Sequence, residues 1–237
     1  MKDNNSVLTA KVLEEVHSAR EYLPWVKNLI ERVKGEPDGI GQLRLQLGLA
    51  KELMNEAYPL GVFASRYFGD SDDVHIGLKV GNQPYDATIN DRRVARTSIA
   101  YAEVTMAHEG ENDYLRTKHL HERGYVHSFG KVIKRGTKRT ALEVTLEPEA
   151  ISQVDLLTHE RNLLEKALDR KIGKPYSDKT VLVIGFDDIM AHDRAENIAN
   201  LENVLTAYRD KLTAFHSVAV VGLLNNLFIL RQIANAI

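Results

Sequence analysis

The fold of this chain depends on two short stretches, PYDATIN at residues 84–90 and SIAYAEVTM at residues 98–106. Both are rich in β-branched and aromatic residues, and a basic turn separates them, which favours two strands joined as a hairpin. Because successive side chains of a strand point to opposite faces, Asp86 and Glu103 can converge on one face of such a hairpin. Two carboxylates held in that way suit a hard divalent cation such as Mg2+, which binds oxygen ligands and retains several waters.

The order Pro-x-Asp, a gap, Glu-x-Lys or a substitute, and then a helix resembles the PD-(D/E)xK restriction-endonuclease-like superfamily. The matching residues are Pro84, Asp86, Glu103 and Thr105, and Thr105 stands where the family usually has lysine. The resemblance covers residues 40 to 190. It implies a mixed central sheet flanked by helices, and a nuclease that uses Mg2+ or Mn2+ to hydrolyse phosphodiester bonds in nucleic acid.

The resemblance also implies a metal site. Asp86 and Glu103 would hold the metal at the scissile phosphate, where it lowers the pKa of a bound water and stabilises the developing charge. In this family the helix before the catalytic strands sometimes offers a further acidic ligand. That helix is predicted over residues 40–58, and Glu52 is its candidate ligand. Pro59 is expected to end the helix.

The other expected site residues carry a hydroxyl or a positive charge. Thr105 can orient a water through its hydroxyl, but it cannot replace the charge of the family's lysine. Lys118 on the following helix is the candidate for that charge, and Arg116 is the candidate phosphate clamp because its planar fork matches phosphate oxygens. A basic hairpin turning at Gly136 fits contact with a nucleic-acid backbone, or else protection of an exposed strand edge. Its cations are Lys131, Lys134, Arg135, Lys138 and Arg139.

The rest of the chain indicates an α/β domain with a helical extension. Residues 1–39 are expected to form an N-terminal helical extension interrupted at Pro24, and residues 40–237 a restriction-endonuclease-like α/β domain. Residues 180–186 and 217–223 are almost wholly apolar, which is typical of buried parallel strands. The alternation of helix and strand in this half favours an α/β layer.

Composition limits the classes of function. The net charge is -2, so binding to nucleic acid has to use a local basic patch. The absence of cysteine excludes disulfides and cysteine-ligated zinc. The N-terminus lacks the apolar core of a signal peptide, and the most apolar stretch, residues 218–230, is too short to span a bilayer, so a cytoplasmic protein is expected.

Two other functions stay open at this point. The missing motif lysine favours a degenerate family member that binds nucleic acid or a protein without cutting it, and the helices can instead assemble into a homodimer. Asp187-Asp188, with His192-Asp193, follows a buried strand, where α/β proteins often place ligands. His119 and His121 do not share a helix face, which disfavours a metal site there. The sequence contains no phosphate-binding glycine loop and no G-x-S-x-G nucleophile elbow.

Overall fold

The computed structural model of the protein describes residues 7–127, 130–137, 140–188 and 193–233. Its helices are α1 (Ala10–Leu13), α2 (Ala19–Lys34), α3 (Gly39–Arg44), α4 (Ala50–Glu52), a π-helical turn (Leu53–Ala57), α5 (Tyr58–Phe68), α6 (Glu111–Arg123), α7 (Gln153–Asp169), α8 (Arg194–Tyr208) and a 3-10 turn (Arg209–Lys211). Its strands are β1 (His17–Ser18), β2 (Val74–Leu78), β3 (Ala87–Asp91), β4 (Tyr101–Ala107), β5 (Lys131–Thr137), β6 (Thr140–Glu147), β7 (Thr180–Phe186), β8 (Ser217–Gly222) and β9 (Phe228–Gln232). The chain is therefore an α/β protein.

Seven of the strands form one mixed sheet in the order β1-β2-β3-β4-β7-β8-β9. The pairs β4–β7 and β7–β8 are parallel, and the other neighbours are antiparallel. The predicted mixed sheet flanked by helices is confirmed. Both apolar stretches of the second half form strands of this sheet, and these strands are parallel to each other.

Helices cover both faces of the sheet. Helices α2 and α5 contribute to the core on the face that carries Val104 and Val183, and α7 and α8 contribute to the core on the face that carries Leu182 and Ile184. All seven residues of β7 are buried, which explains why its sequence is apolar without alternation. None of the helices in the described part of the chain is long and apolar enough to cross a membrane.

Neither proline acts as the sequence predicts. Pro24 lies inside α2, and Pro59 lies in the first turn of α5. The helix predicted over residues 40–58 is instead α3, followed by a long helical segment that runs from Ala50 through the π-helical turn to Phe68. The wide turn precedes Pro59, which has no N–H to bond the carbonyl of residue 55. The predictions that Pro24 interrupts a helix and that Pro59 ends one are wrong.

Helix α6 and the β5–β6 hairpin form an arm outside the main sheet. Strand β5 pairs only with β6, in a separate two-stranded sheet, and no residue of α6 is buried. Gly136 lies within β5, so the predicted turn at Gly136 is wrong. The connection between the two strands, residues 138–139, lies outside the described residues.

Candidate active site

The candidate site forms where β4 loses a neighbour. Strand β7 pairs with β4 as far as Ala107, whereas β3 pairs with β4 at only two positions, Ala87–Ala102 and Thr88–Tyr101. Beyond these two positions β4 is bonded by a side chain instead of the β3 backbone: Asp86 Oδ2 accepts a hydrogen bond of 2.7 Å from the Val104 N–H. The last residues of β4 line a cavity of about 620 Å³, which we call the acidic cleft because Glu56 and Glu109 line it. Asp86 and Glu103 do not line the cleft themselves, but both adjoin its wall at Val104, which Asp86 binds and Glu103 precedes in the chain.

Asp86 and Glu103 come together at this edge of β4. Glu103 is only 8% exposed. Burial, and then the nearby charge of Glu103, raise the pKa of Asp86 to about 6, although the hydrogen bond from Val104 acts in the opposite direction. When both carboxyl groups are ionised they repel each other, and a bound cation would relieve that repulsion.

Glu56 is a third acid near Asp86 and Glu103; it lines the cleft, and sequence reasoning missed it. It lies in the π-helical turn. Burial, and then the charges of Asp86, Glu52 and Glu103, raise the pKa of Glu56 to about 7. The predicted Glu52 lies next to this turn, and its Oε2 is buried without a hydrogen-bond partner. A π turn shifts the phase of a helix, so a regular helical pattern does not show which glutamate faces the strands.

Lys171 supplies a cation to the site, and sequence reasoning missed it as well. Its Nζ donates to Glu103 Oε1 at 2.6 Å, and the Tyr176 hydroxyl donates to the same oxygen at 3.0 Å. The two charged side chains are only 13% and 10% exposed. The available signal was the basic segment before β7. Because β7 runs parallel to β4, with Thr180 opposite Tyr101, the chain that enters β7 passes close to Glu103.

The rim of the acidic cleft is basic. Arg170 donates to the Met106 carbonyl at 2.6 Å and to Thr105 Oγ1 at 3.4 Å. Lys51 and Lys166 also line the cleft, and neither forms an ion pair with an acid of the described chain. The predicted residue Thr105 thus faces the cleft, but it accepts a hydrogen bond from an arginine of the rim.

The predicted cations of α6 have other partners. Lys118 is 47% exposed and lies 3.7 Å from Glu122, one turn along the same helix. Arg116 donates to Glu109 at 2.8 Å and to Asp113 at 3.0 Å, and its Nε donates to the Gly130 carbonyl. Arg116 therefore ties the arm together, because its fork already binds two carboxylates. The structure brings neither cation into contact with Asp86 or Glu103.

Those cations of the basic hairpin that lie in the described residues stand near acidic side chains of β6 or of α6. Lys131 and Arg135 stand opposite Glu147 and Glu143 in the strand register, and such neighbours across a strand pair attract each other. Lys134 donates to Glu111 at 2.7 Å. Lys138 and Arg139 lie outside the described residues. The predicted contact of this hairpin with nucleic acid stays a prediction.

The other candidate site predicted from the sequence is the acidic segment after β7. Asp188 accepts hydrogen bonds from the backbone N–H groups of Leu224 and Asn226 at 2.8 and 2.7 Å, so its carboxylate holds the turn between β8 and β9. His192 lies outside the described residues. Within the described part of the chain, no three histidine or acidic side chains stand close enough together to form a complete metal site.

Glu160 is a further buried acid, on α7. It is 4% exposed, and burial, followed by the charge of Asp187, raises its pKa to about 7, while a hydrogen bond with Asn197 acts against this. Its Oε2 has no hydrogen-bond partner. The folded protein therefore favours the neutral form of this carboxyl group.

We expect the Glu160→Gln variant to be more stable than the wild type at pH 8, by about 1–2 kcal/mol. The pKa of Glu160 is raised on folding, so its contribution to stability is fully present below the unfolded value of 4.5 and is lost as the pH rises through about 7. Denaturant unfolding at pH 4 and pH 8 measures the difference. The matched control is Glu202→Gln, at an exposed position of α8, which should change stability little at either pH. Equal behaviour of the two variants would contradict the prediction.

Comparison of the chain with protein-family models, with the curated proteins and with the solved structures finds no match. Its function therefore has to be argued from the acidic cleft itself.

Proposed function

We propose that the protein is a metal-dependent nuclease with a restriction-endonuclease-like core, which hydrolyses phosphodiester bonds in the acidic cleft. The observation that carries this proposal is the environment of Glu103, which stands beside Asp86 on one side and binds Lys171 on the other. Two acids and one cation, largely buried beside the wall of a cleft, are suited to an anionic substrate that has to bind together with a divalent metal.

The donor set fits Mg2+ or Mn2+. Asp86 uses only Oδ2 for the Val104 N–H, and Glu103 uses only Oε1 for Lys171 and Tyr176. Within the described chain, the second oxygen of each carboxylate has no hydrogen-bond partner, so each acid can offer one oxygen to a metal. Mg2+ is usually held by one or two carboxylates, with waters and substrate phosphate completing its shell, so a site without three clustered protein ligands is compatible with it.

Hydrolysis adds one water across the phosphodiester bond. When bound, the metal supplies an activated water and neutralises charge that develops on the phosphate. Lys171 holds Glu103 in place through the 2.6 Å contact, and its charge stabilises negative charge nearby. We therefore assign to Lys171 the role that Thr105, which has no charge, cannot fill.

The basic rim supports an anionic polymer as the substrate. Lys51 and Lys166 are exposed at the cleft without an acidic partner in the described chain, and Arg170 lies between strand β4 and the solvent. Phosphate contacts by lysine and arginine dominate affinity for nucleic acid. This patch also explains how a chain with a net charge of -2 would bind a polyanion.

The order of elements supports the finer fold proposal. A helical segment that carries Glu56 precedes three consecutive antiparallel strands, β2, β3 and β4. Asp86 immediately precedes β3, and Glu103 lies on β4. Helix α7 then leads to β7, which joins β4 in parallel. This arrangement agrees with the helix, strand and acid order on which the resemblance to the restriction-endonuclease-like superfamily is based.

The test is a panel of single-stranded DNA, duplex DNA and RNA incubated with the purified protein in Mg2+, in Mn2+ and in EDTA. We expect cleavage of at least one polymer with either metal and none with EDTA. Calorimetric titration with Mn2+ shows in parallel whether the site is loaded. Loading of the metal without cleavage of any polymer would favour the degenerate nucleic-acid-binding protein, and cleavage that persists in EDTA would exclude the two-carboxylate mechanism.

A further inference from the structure

A second cavity of about 550 Å³ opens from the acidic cleft. It lies beyond the carboxyl ends of β4 and β7, a position where ligands commonly bind in α/β proteins. Both cavities are bounded by Asn55, Met106 and His108, so the two lie side by side. Whatever occupies the acidic cleft can therefore extend into the second cavity.

The walls of the second cavity combine apolar side chains with polar and charged ones, and four of the lining residues are acidic: Glu109, Asp113, Glu160 and Asp187. Leu156, Leu163 and Phe186 line it, and Glu160 lies among them. On the opposite side, the α6 residue Tyr114 lines the cavity although its side chain belongs to no core cluster and is 45% exposed. A cavity of this size that offers an exposed aromatic ring, apolar side chains and several hydrogen-bonding groups matches a planar ligand that carries hydrogen-bonding edges.

A nucleobase is such a ligand. Its faces stack on aromatic side chains, and its edges exchange hydrogen bonds with polar groups. Within the described part of the chain, the Oε2 atom of Glu160 has no hydrogen-bond partner, and Glu160, which is only 4% exposed, lines the cavity. A base paired inside a duplex is stacked on its neighbours and cannot enter the cavity, whereas an unpaired base can.

We infer that the second cavity takes the base of an unpaired nucleotide next to the phosphodiester in the acidic cleft, so the substrate is single-stranded nucleic acid with Tyr114 as the stacking platform. This inference rests on the proposed nuclease function, since the phosphate has to lie in the acidic cleft. It adds to the nuclease proposal a preference for single-stranded over double-stranded nucleic acid.

The experiment measures binding in EDTA, where no cleavage occurs, by fluorescence anisotropy. The probes are an end-labelled oligothymidine, the same strand annealed to its complement, and a strand of abasic sugars that keeps only the phosphates. We expect Tyr114→Ala to weaken binding of oligothymidine about tenfold, because base–aromatic stacking has an effect of that order. Binding of the duplex and of the abasic strand should change less than about twofold, because neither places a base in the cavity.

Tyr125→Ala is the matched control. Tyr125 is 56% exposed and follows α6, but it does not line the cavity. It should leave the binding of all three probes unchanged. Equal effects of the two tyrosine variants, or an equal loss of oligothymidine and duplex binding in Tyr114→Ala, would overturn the inference.

The experiment separates this inference from the nuclease proposal. A loss of oligothymidine binding in Tyr114→Ala, in a protein that cleaves nothing, supports the base cavity and removes the nuclease assignment. If the wild-type protein cleaves nucleic acid but Tyr114→Ala leaves the binding of oligothymidine unchanged, the nuclease assignment is supported and the base cavity is removed.

Discussion

We expect the Asp86→Asn variant to lose metal-dependent cleavage by about a thousandfold or more, because removal of a metal-binding carboxylate takes away several kcal/mol of transition-state stabilisation. Asparagine keeps an oxygen that can accept the Val104 N–H, so the edge of β4 should stay in place. The ionised Asp86 is unfavourable in the folded state, as its pKa of about 6 indicates. The variant should therefore be at least as stable as the wild type at pH 8, while calorimetric titration shows weaker Mn2+ binding.

The control for this variant is Asp70→Asn, which removes the same charge from an exposed position after α5. It should leave cleavage, metal binding and the melting temperature unchanged. A wild-type rate of cleavage in Asp86→Asn would remove the acidic cleft from consideration as the active site, and the same result in the Asp86→Asn/Glu103→Gln double variant would make that conclusion firm. Loss of cleavage together with a lower melting temperature would instead point to a structural role for Asp86.

The strands and the acid pair follow from local sequence patterns, whereas the completed site does not. Alternation and β-branched content identify β3 and β4, and their proximity along the chain makes a hairpin the simplest pairing. The unbroken apolar run of residues 180–186 identifies a strand covered on both faces. These features depend on neighbouring residues, which is why the sequence alone shows them.

Lys171 and Glu56 depend on features that no local pattern shows. Lys171 is 68 positions away from Glu103, and they meet only because β7 pairs in parallel with β4. Glu56 faces the strands because of a π-helical turn, which a regular helical period does not predict. The position of α6 directly after β4 predicts Lys118 as the cation, but no residue of α6 is buried, and Lys118 lies beside Glu122 instead of Glu103. Nearness along the chain therefore predicts the strand pair, whereas the cation that lies beside Glu103 comes from a distant part of the chain.

The second large effect is expected for Lys171→Met, which should lower the rate of cleavage about a hundredfold, because loss of one preorganised cation at a reacting phosphate commonly costs two to three powers of ten. The same substitution removes a positive charge beside Glu103, so the cleft should bind Mn2+ at least as tightly as in the wild type. A fall in the rate with undiminished metal binding distinguishes a cation that acts on the substrate from a residue that only supports the fold. Single-turnover cleavage and calorimetric titration of the same preparation measure the two effects.

The substitution also removes one of the two hydrogen bonds that Glu103 Oε1 accepts. The other, from the Tyr176 hydroxyl at 3.0 Å, is kept. We expect a moderate loss of stability, about 1–3 kcal/mol, because a largely buried carboxylate loses its partner. Lys171→Arg should keep the charge and the stability and recover part of the rate, and Lys179→Met, at an exposed position just before β7, should behave as the wild type. If Lys171→Met cleaves as fast as the wild type, the cation that serves the phosphate has to be sought among Arg170, Lys166 and Lys51 of the rim.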